Sequence, residues 1–527
     1  MVRTKSHNPY RRHALLKIEE LERRFAPAIL LNPTTLLYTD VDGDRVTVQV
    51  SGSAGPHLTL DEFSFVSAGQ GEQLQQIDLT NNPADFAGSN LAVRVKRHGG
   101  DGFANVGYIN AGGIDLGTVT VQGDLGRIDA GTGVGSVPAV AELHVHSLGA
   151  MGLSTQPDGG SLQSNIMGPV GDLRVDTSIQ GAAVYVFAPV TGGPGPGPGP
   201  MAVQPASSAA APLITQIAVG GSITGGDDFE SGFISCDGDI GTVNVAGSVQ
   251  GGAGIHSGAI QCAGNIGQIT IGTLLGGDGT SSGSIHARGI DNLTVNGSVV
   301  AGGGFSSGSI QANDLGNVTI LGSLTGTPSN PARIMALSQI RTEVRTVERQ
   351  VAEMVWVEVC NRNGVCHEQL EKVTVTLTQE ITVAVEFAGH IGTLSIHGDV
   401  DFANIVAGFD GQIGSVSVGG HWRASNLAAA VTPGPDGFYG TADDVLLIRA
   451  KDESAGRIGS ITIMGDLFGS SNPDEHFGIV AREIDSFFAN STTKIQLHSG
   501  PSNDDFLLGP SGNFRLREAP LAHALPG

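Results

Sequence analysis

Ser282-Gly-Ser-Ile-His-Ala-Arg-Gly-Ile-Asp-Asn-Leu-Thr-Val-Asn-Gly-Ser-Val-Val300 is one unit of a sentence that this chain repeats. Its opening phrase recurs as Ser231-Gly-Phe-Ile, Ser257-Gly-Ala-Ile and Ser307-Gly-Ser-Ile, so the four copies are spaced by 26, 25 and 25 residues. Its second phrase recurs as Ile240-Gly-Thr-Val-Asn-Val, Ile266-Gly-Gln-Ile-Thr-Ile and Leu315-Gly-Asn-Val-Thr-Ile. A fixed period in this range marks a stacked repeat architecture. Within each phrase apolar residues alternate with small polar ones, as in Val318-Thr319-Ile320, which is the period-two pattern of a strand with one buried face. Gly-Ser and Gly-Gly steps break the strands into short pieces. The pattern predicts an all-β fold: a parallel β-helix (β-solenoid) of about 25 residues per coil, with equivalent strands stacked roughly 4.8 Å apart. Ile234, Ile260, Ile285 and Ile310 then form an inward ladder, each burial contributing roughly 1.5–3 kcal/mol.

Composition agrees with tight coils. The 527 residues include 79 Gly, with 15% charged and only 5% aromatic, which suits corners built from small side chains. A formal charge of −23 repels nucleic acid and anionic membranes and attracts cations. No apolar run reaches the roughly 18 residues of a transmembrane helix. Four cysteines make no disulfide framework in a chain of this length. Cys236 and Cys262 hold the same place in adjacent units, where Ala287 and Ala312 follow, and so read as stacked small core residues.

Outward from the repeats the chain divides by composition. Residues 1–30 are basic and then mixed in charge, and 31–100 read as a non-repeating β cap covering the first coil's unpaired edge. A first solenoid section spans 101–189. A Gly/Pro/Ala-rich linker or loop spans 190–212, and the regular repeats occupy 213–337. Residues 338–386 are an insertion with far more charge. Asn363-Gly364 between alternating runs predicts a hairpin tip, whereas Ile340, Val344, Val347, Val351 and Met354 fall at helical spacing. Topology favours the hairpin, because both ends of an insertion into one coil must return to nearly the same point. Such arms would reach roughly 60–70 Å at about 3.3 Å per residue. Cys360 and Cys366 flank the tip and form a disulfide candidate in an oxidising compartment. The repeat resumes over 387–484, and 485–527 read as a C-terminal cap and tail.

Two acidic clusters are candidate metal sites. Asp40, Asp42 and Asp44 offer hard oxygens at alternate positions of a tight loop, which suits Ca²⁺. Glycine stands fourth rather than sixth there and no bidentate Glu follows, so a plain acidic hairpin turn is the competing reading. Asp436, Asp443 and Asp444 lie in a loop where Gly437 and Gly440 let the backbone turn; a Ca²⁺ site and a solvated acidic turn both fit. His144 and His146 share one face of a strand but lack a third ligand. For catalysis the densest acidic group near the repeats is Asp227, Asp228 and Glu230. The only Lys or Arg within 231–326 is Arg288, so no acid–base constellation emerges there.

Ile18-Glu19-Glu20-Leu21-Glu22-Arg23-Arg24 followed by Pro27 resembles the LEPR-xLL type N-terminal signature of large planctomycete secreted and envelope proteins, with Phe25-Ala26 where those often carry Leu-Leu. The phrases Leu116-Gly-Thr-Val-Thr-Val-Gln-Gly-Asp-Leu and Asp42-Gly-Asp resemble the β-helical surface proteins of the same group. The Asp436-Gly-Phe-Tyr-Gly-Thr-Ala-Asp-Asp444 loop resembles acidic loops of secreted bacterial proteins that are often taken as calcium sites. The resemblance implies export to the cell envelope or beyond, and no particular activity. Three functions remain open: a structural or adhesive surface protein without catalytic activity, whose partners are polysaccharide or other envelope proteins; a polysaccharide lyase or glycosidase; and a calcium-dependent polysaccharide-binding module.

Overall fold

Each repeated phrase forms a strand that pairs in parallel with the same phrase one unit later. In the computed structural model, Phe233–Cys236, Ala259–Cys262, Ile285–His286 and Ser309–Ala312 lie side by side, with Ile234, Ile260, Ile285 and Ile310 in direct register. All four isoleucines are fully buried, as the alternation predicts. The second phrase builds another column, in which Ile240, Ile266, Ile290 and Leu315 are matched. Two-residue strands such as Val299–Val300 and Leu324–Thr325 build a third. The protein is all-β, dominated by one large sheet whose pairings are mostly parallel. One continuous apolar core runs from Leu36 to Leu516.

The structure describes residues 28–52, 57–135, 137–157, 159–189, 211–337, 339–360, 366–448, 455–490 and 495–520, with the backbone alone described for 339–387. The export-like signature, the Gly-Pro run as far as residue 210 and the Asn363-Gly364 tip lie outside the described residues. The columns nevertheless continue across the Gly-Pro run, since Val170 pairs with Ile214 and Val184 with Ile234.

Local chemistry explains the repeated Ser-Gly. The hydroxyls of Ser231, Ser257, Ser282 and Ser307 each accept from the backbone N–H five residues earlier, at 2.6, 2.9, 3.0 and 2.9 Å. The following glycines, Gly232, Gly258, Gly283 and Gly308, all have φ between +57° and +62°. At Gly258 a Cβ would stand 1.8 Å from the Gln250 carbonyl oxygen, so no other residue fits. The phrase is therefore a turn device as much as a strand.

Both ends depart from parallel pairing. Ile29–Asn32, Thr35–Thr39, Arg45–Ser51 and Asn90–Lys96 form an antiparallel series. Parallel pairing begins inside the 31–100 stretch, where Gly71–Asp78 joins Val106–Gly112. At the other end it runs past residue 484: Glu483–Ala489 pairs with Arg457–Ile463, and Phe514–Glu518 with Phe477–Ala481. Asp505–Leu507 then folds back antiparallel.

The insertion is the hairpin that topology favoured. Gln339–Cys360 and Cys366–Phe387 pair antiparallel along their whole 22-residue lengths, in a sheet of their own. The main stack closes beneath it, since Leu315 pairs directly with Ile391 and Ile334 with Ile405. Among the described residues no helix is long and apolar enough to cross a membrane.

Candidate functional site

The connections from the two-residue strands to the first-phrase strands carry exposed apolar side chains along one flank of the stack. Phe229 and Phe305, 66% and 69% exposed, stand on this flank among the most exposed large apolar residues. Phe229 leans on His256 with ring centroids 6.2 Å apart, and the Arg333 guanidinium lies 4.6 Å from the Phe305 ring centre. Between them runs a shallow trough floored by Gln261, His286 and Gln311, holding a hollow of about 40 Å³.

Further along the same flank a larger cavity opens, about 170 Å³, walled by Phe402, Phe438 and Phe477 and edged by Asn404, Glu475 and His476. Its floor comes from the first-phrase column, where Asn404 and Asn426 are matched in register. Asn426 Nδ2 donates to Asn404 Oδ1 at 2.8 Å, and Asn426 Oδ1 accepts from the Gly478 N–H at 2.9 Å. The Asn404 amide nitrogen, the Glu475 carboxylate and the His476 ring nitrogens have no hydrogen-bond or ion-pair partner among the described residues. His476 meets Phe438 edge-on at 5.9 Å. Polar groups without partners thus converge between half-exposed aromatic walls.

The acidic loop of 434–444 builds one of those walls. Asp436 Oδ1 accepts from the Phe438 N–H at 2.8 Å, and Asp443 accepts from the Asp436 N–H at 3.2 Å and the Thr441 hydroxyl at 2.5 Å. Asp444 is buried and caps the turn through the N–H groups of Gly440 and Thr441, at 2.9 and 3.1 Å. Burial pushes its carboxyl up to about 7, against those two donors, and its Oδ1 has no hydrogen-bond partner. Beneath the loop Ala428, Val480 and Leu446 pack into a small second core. The three carboxylates fold the loop and do not gather as one ligand set: among the described residues, Asp40, Asp42 and Asp44 form the set of three whose ligand atoms lie within 4.8 Å of one another.

That first cluster pins the antiparallel end together. Asp40 Oδ1 accepts from the N–H groups of Gly43 and Asp44, at 3.1 and 2.8 Å. Asp42 reaches across to the Asp101 N–H at 2.7 Å, and Asp44 accepts from His98, from Gly100 at 2.8 Å and from Gly102 at 2.7 Å. Burial would raise the Asp44 carboxyl, but its three backbone donors hold it below the usual range. Asp40 is pushed up to about 7, first by burial and then by its hydrogen bond to Asp42. A Cβ on Gly100 would lie 2.2 Å from Asp42 Oδ1, so that glycine is part of the arrangement. Ca²⁺ takes about six to eight oxygens, and this donor set of hard, converging carboxylates suits it in kind. Part of its lone-pair capacity already serves backbone N–H groups.

The other sequence candidates lie apart. His144 bonds Asp176 at 2.9 Å, while His146 stacks on Phe103 at 4.0 Å, so the two do not converge on a metal. Glu230 accepts from the Tyr185 hydroxyl, and Arg288 pairs with Asp239 at 3.6 Å. Cys236 and Cys262 are free, buried and stacked; their thiols share the Gly238 carbonyl as acceptor. Cys360 and Cys366 are directly opposed in register, and their side chains lie outside the description. Sequence reasoning passed over Phe402, Asn404, Phe438, Glu475, His476 and Phe477. The available signal was the crowding of phenylalanine at unit ends in a chain that is only 5% aromatic.

In comparisons with known proteins, no family model, curated protein or solved structure matches this chain.

Proposed function

We propose that this chain is a parallel β-helix exported to the cell envelope or beyond, where it acts as a structural and adhesive element and catalyses no reaction. The columns of matched strands and the 25-residue period support the β-helix reading. The LEPR-xLL-like segment and the −23 charge support the location. One observation carries the adhesive reading: the cavity bounded by Phe402, Phe438 and Phe477 combines aromatic walls and polar groups without partners with a single lining carboxylate, Glu475. Glycoside hydrolysis uses two carboxylates roughly 5–9.5 Å apart, so the cavity is equipped to hold a ligand rather than to cleave one. Incubating the purified chain with a polysaccharide panel tests this. Retention without new reducing or unsaturated ends is expected, and steady release of either would defeat it.

Calcium belongs to the same proposal as a structural cation at Asp40, Asp42 and Asp44, where it would brace the antiparallel end. Millimolar CaCl₂ should raise the melting temperature and a chelator should reverse the rise. Asp42→Ala should abolish the response. A parent melting curve indifferent to both additions would end the calcium proposal and leave the rest intact.

A further inference from the structure

We infer that the flank from His256 to Phe477 is a binding site for a neutral, linear glycan, with one sugar ring seated between Phe402, Phe438 and Phe477. This deepens the adhesive reading above and rests on it. Seven first-phrase strands, from Ala259–Cys262 to Phe477–Ala481, face this flank in unbroken register, and six steps of roughly 4.8 Å give a face near 29 Å long. The shape calls for an extended polymer. At about 170 Å³ the cavity falls below the roughly 300–1,000 Å³ of sites that enclose a whole small molecule, so it suits one ring of a chain lying along the surface.

The chemistry selects the polymer. Pyranose rings present flat C–H faces and a rim of hydroxyls that both donate and accept. The phenylalanines offer the flat faces, left half-exposed although burial would favour the fold. Asn404 Nδ2 offers a free donor, Glu475 a free acceptor and His476 either, all at the rim of the same hollow. Charge disfavours the alternatives within sugars: a chain of net charge −23 repels a polyuronate, neither the trough nor the cavity has a Lys or Arg among its lining residues, and Arg333, which stands between them, lies against the Phe305 ring. A peptide added as an extra strand needs an open sheet edge. The first-phrase strands along this flank each have a parallel neighbour on both sides, so that mode is closed.

The test is affinity electrophoresis and calorimetry of the full chain on xyloglucan, mixed-linkage β-glucan and xylan, with polygalacturonate and polylysine in parallel. Retention by at least one neutral polymer is expected. Phe438→Ala and Asn404→Ala should each weaken it about tenfold, and Glu475→Gln, which keeps volume and lies at the surface, a few-fold. Leu321→Ala, exposed and away from the flank, should change nothing. Unaltered melting curves separate loss of binding from loss of fold. Binding to polygalacturonate or polylysine alone overturns the inference, as does neutral-glycan binding that all three variants retain. Retention of the chain by whole cells without binding to any neutral polymer overturns this site and leaves the adhesive reading standing. Cleavage of a bound glycan would do the reverse.

Discussion

The regular units of 231–326 and the irregular stretch of 402–477 use the same strands for opposite ends. In the regular units each Ser hydroxyl caps a loop N–H, each Gly fills a left-handed position under a carbonyl, and the isoleucines are fully buried. The repeated side chains there serve the stack itself. In 402–477 the same column carries Asn404 and Asn426 where the regular units carry Ala259 or Ser309, and the flanking turns carry phenylalanines. What repetition holds constant builds the scaffold. What departs from it is left over for a ligand.

The comparison is most easily broken at the core. Ile285→Asp places an unpaired carboxylate in the middle of the apolar ladder and should cost more than about 4 kcal/mol, enough to abolish the cooperative thermal transition. An unchanged melting temperature would dismiss the ladder. Next in size, Gly258→Ala meets both a φ of +58° and a carbonyl oxygen 1.8 Å from the new Cβ, and should destabilise by at least about 2 kcal/mol in chemical denaturation. Its counterpart in the irregular loop, Gly437→Ala, has a φ of +77° but nothing within 4 Å, so only the strain of about 1 kcal/mol remains. Equal losses at the two glycines would erase the distinction between a packed turn and an open one.

The last effect is one of pH, read as a slope of stability rather than as a loss at one condition. Asp444 titrates near 7 in the folded protein and near 4 when unfolded, so between those values the folded state holds the extra proton. Its contribution to stability is complete below about pH 4 and is lost as pH rises through 7. Asp40 shifts in the same direction, so the parent should melt at a higher temperature at pH 5 than at pH 8. Asp444→Asn cannot ionise and should flatten part of that slope while matching the parent near pH 5. An identical slope in the variant would place the titration elsewhere.

The parallel register was legible in the sequence because a period of 25 repeats one set of contacts, so Ile234, Ile260, Ile285 and Ile310 report on each other. Cys236 and Cys262 were readable for the same reason, with Ala287 and Ala312 beside them as controls. The insertion was readable through chain closure: its ends had to meet, and 336 and 390 rejoin neighbouring strands. The acidic loop was visible as composition, but its purpose was not. Whether Asp436, Asp443 and Asp444 converge on a cation or each cap a turn depends on side-chain direction, which no spacing encodes. Phe402 and Phe438 lie in separate turns and Phe477 opens a strand, and only the stacking of units brings them around one cavity. Sequence alone determined the repeat and the ladder, since both are local patterns copied along the chain. The tertiary structure decided where unlike residues from different units meet, because a contact between non-equivalent positions leaves no period to read.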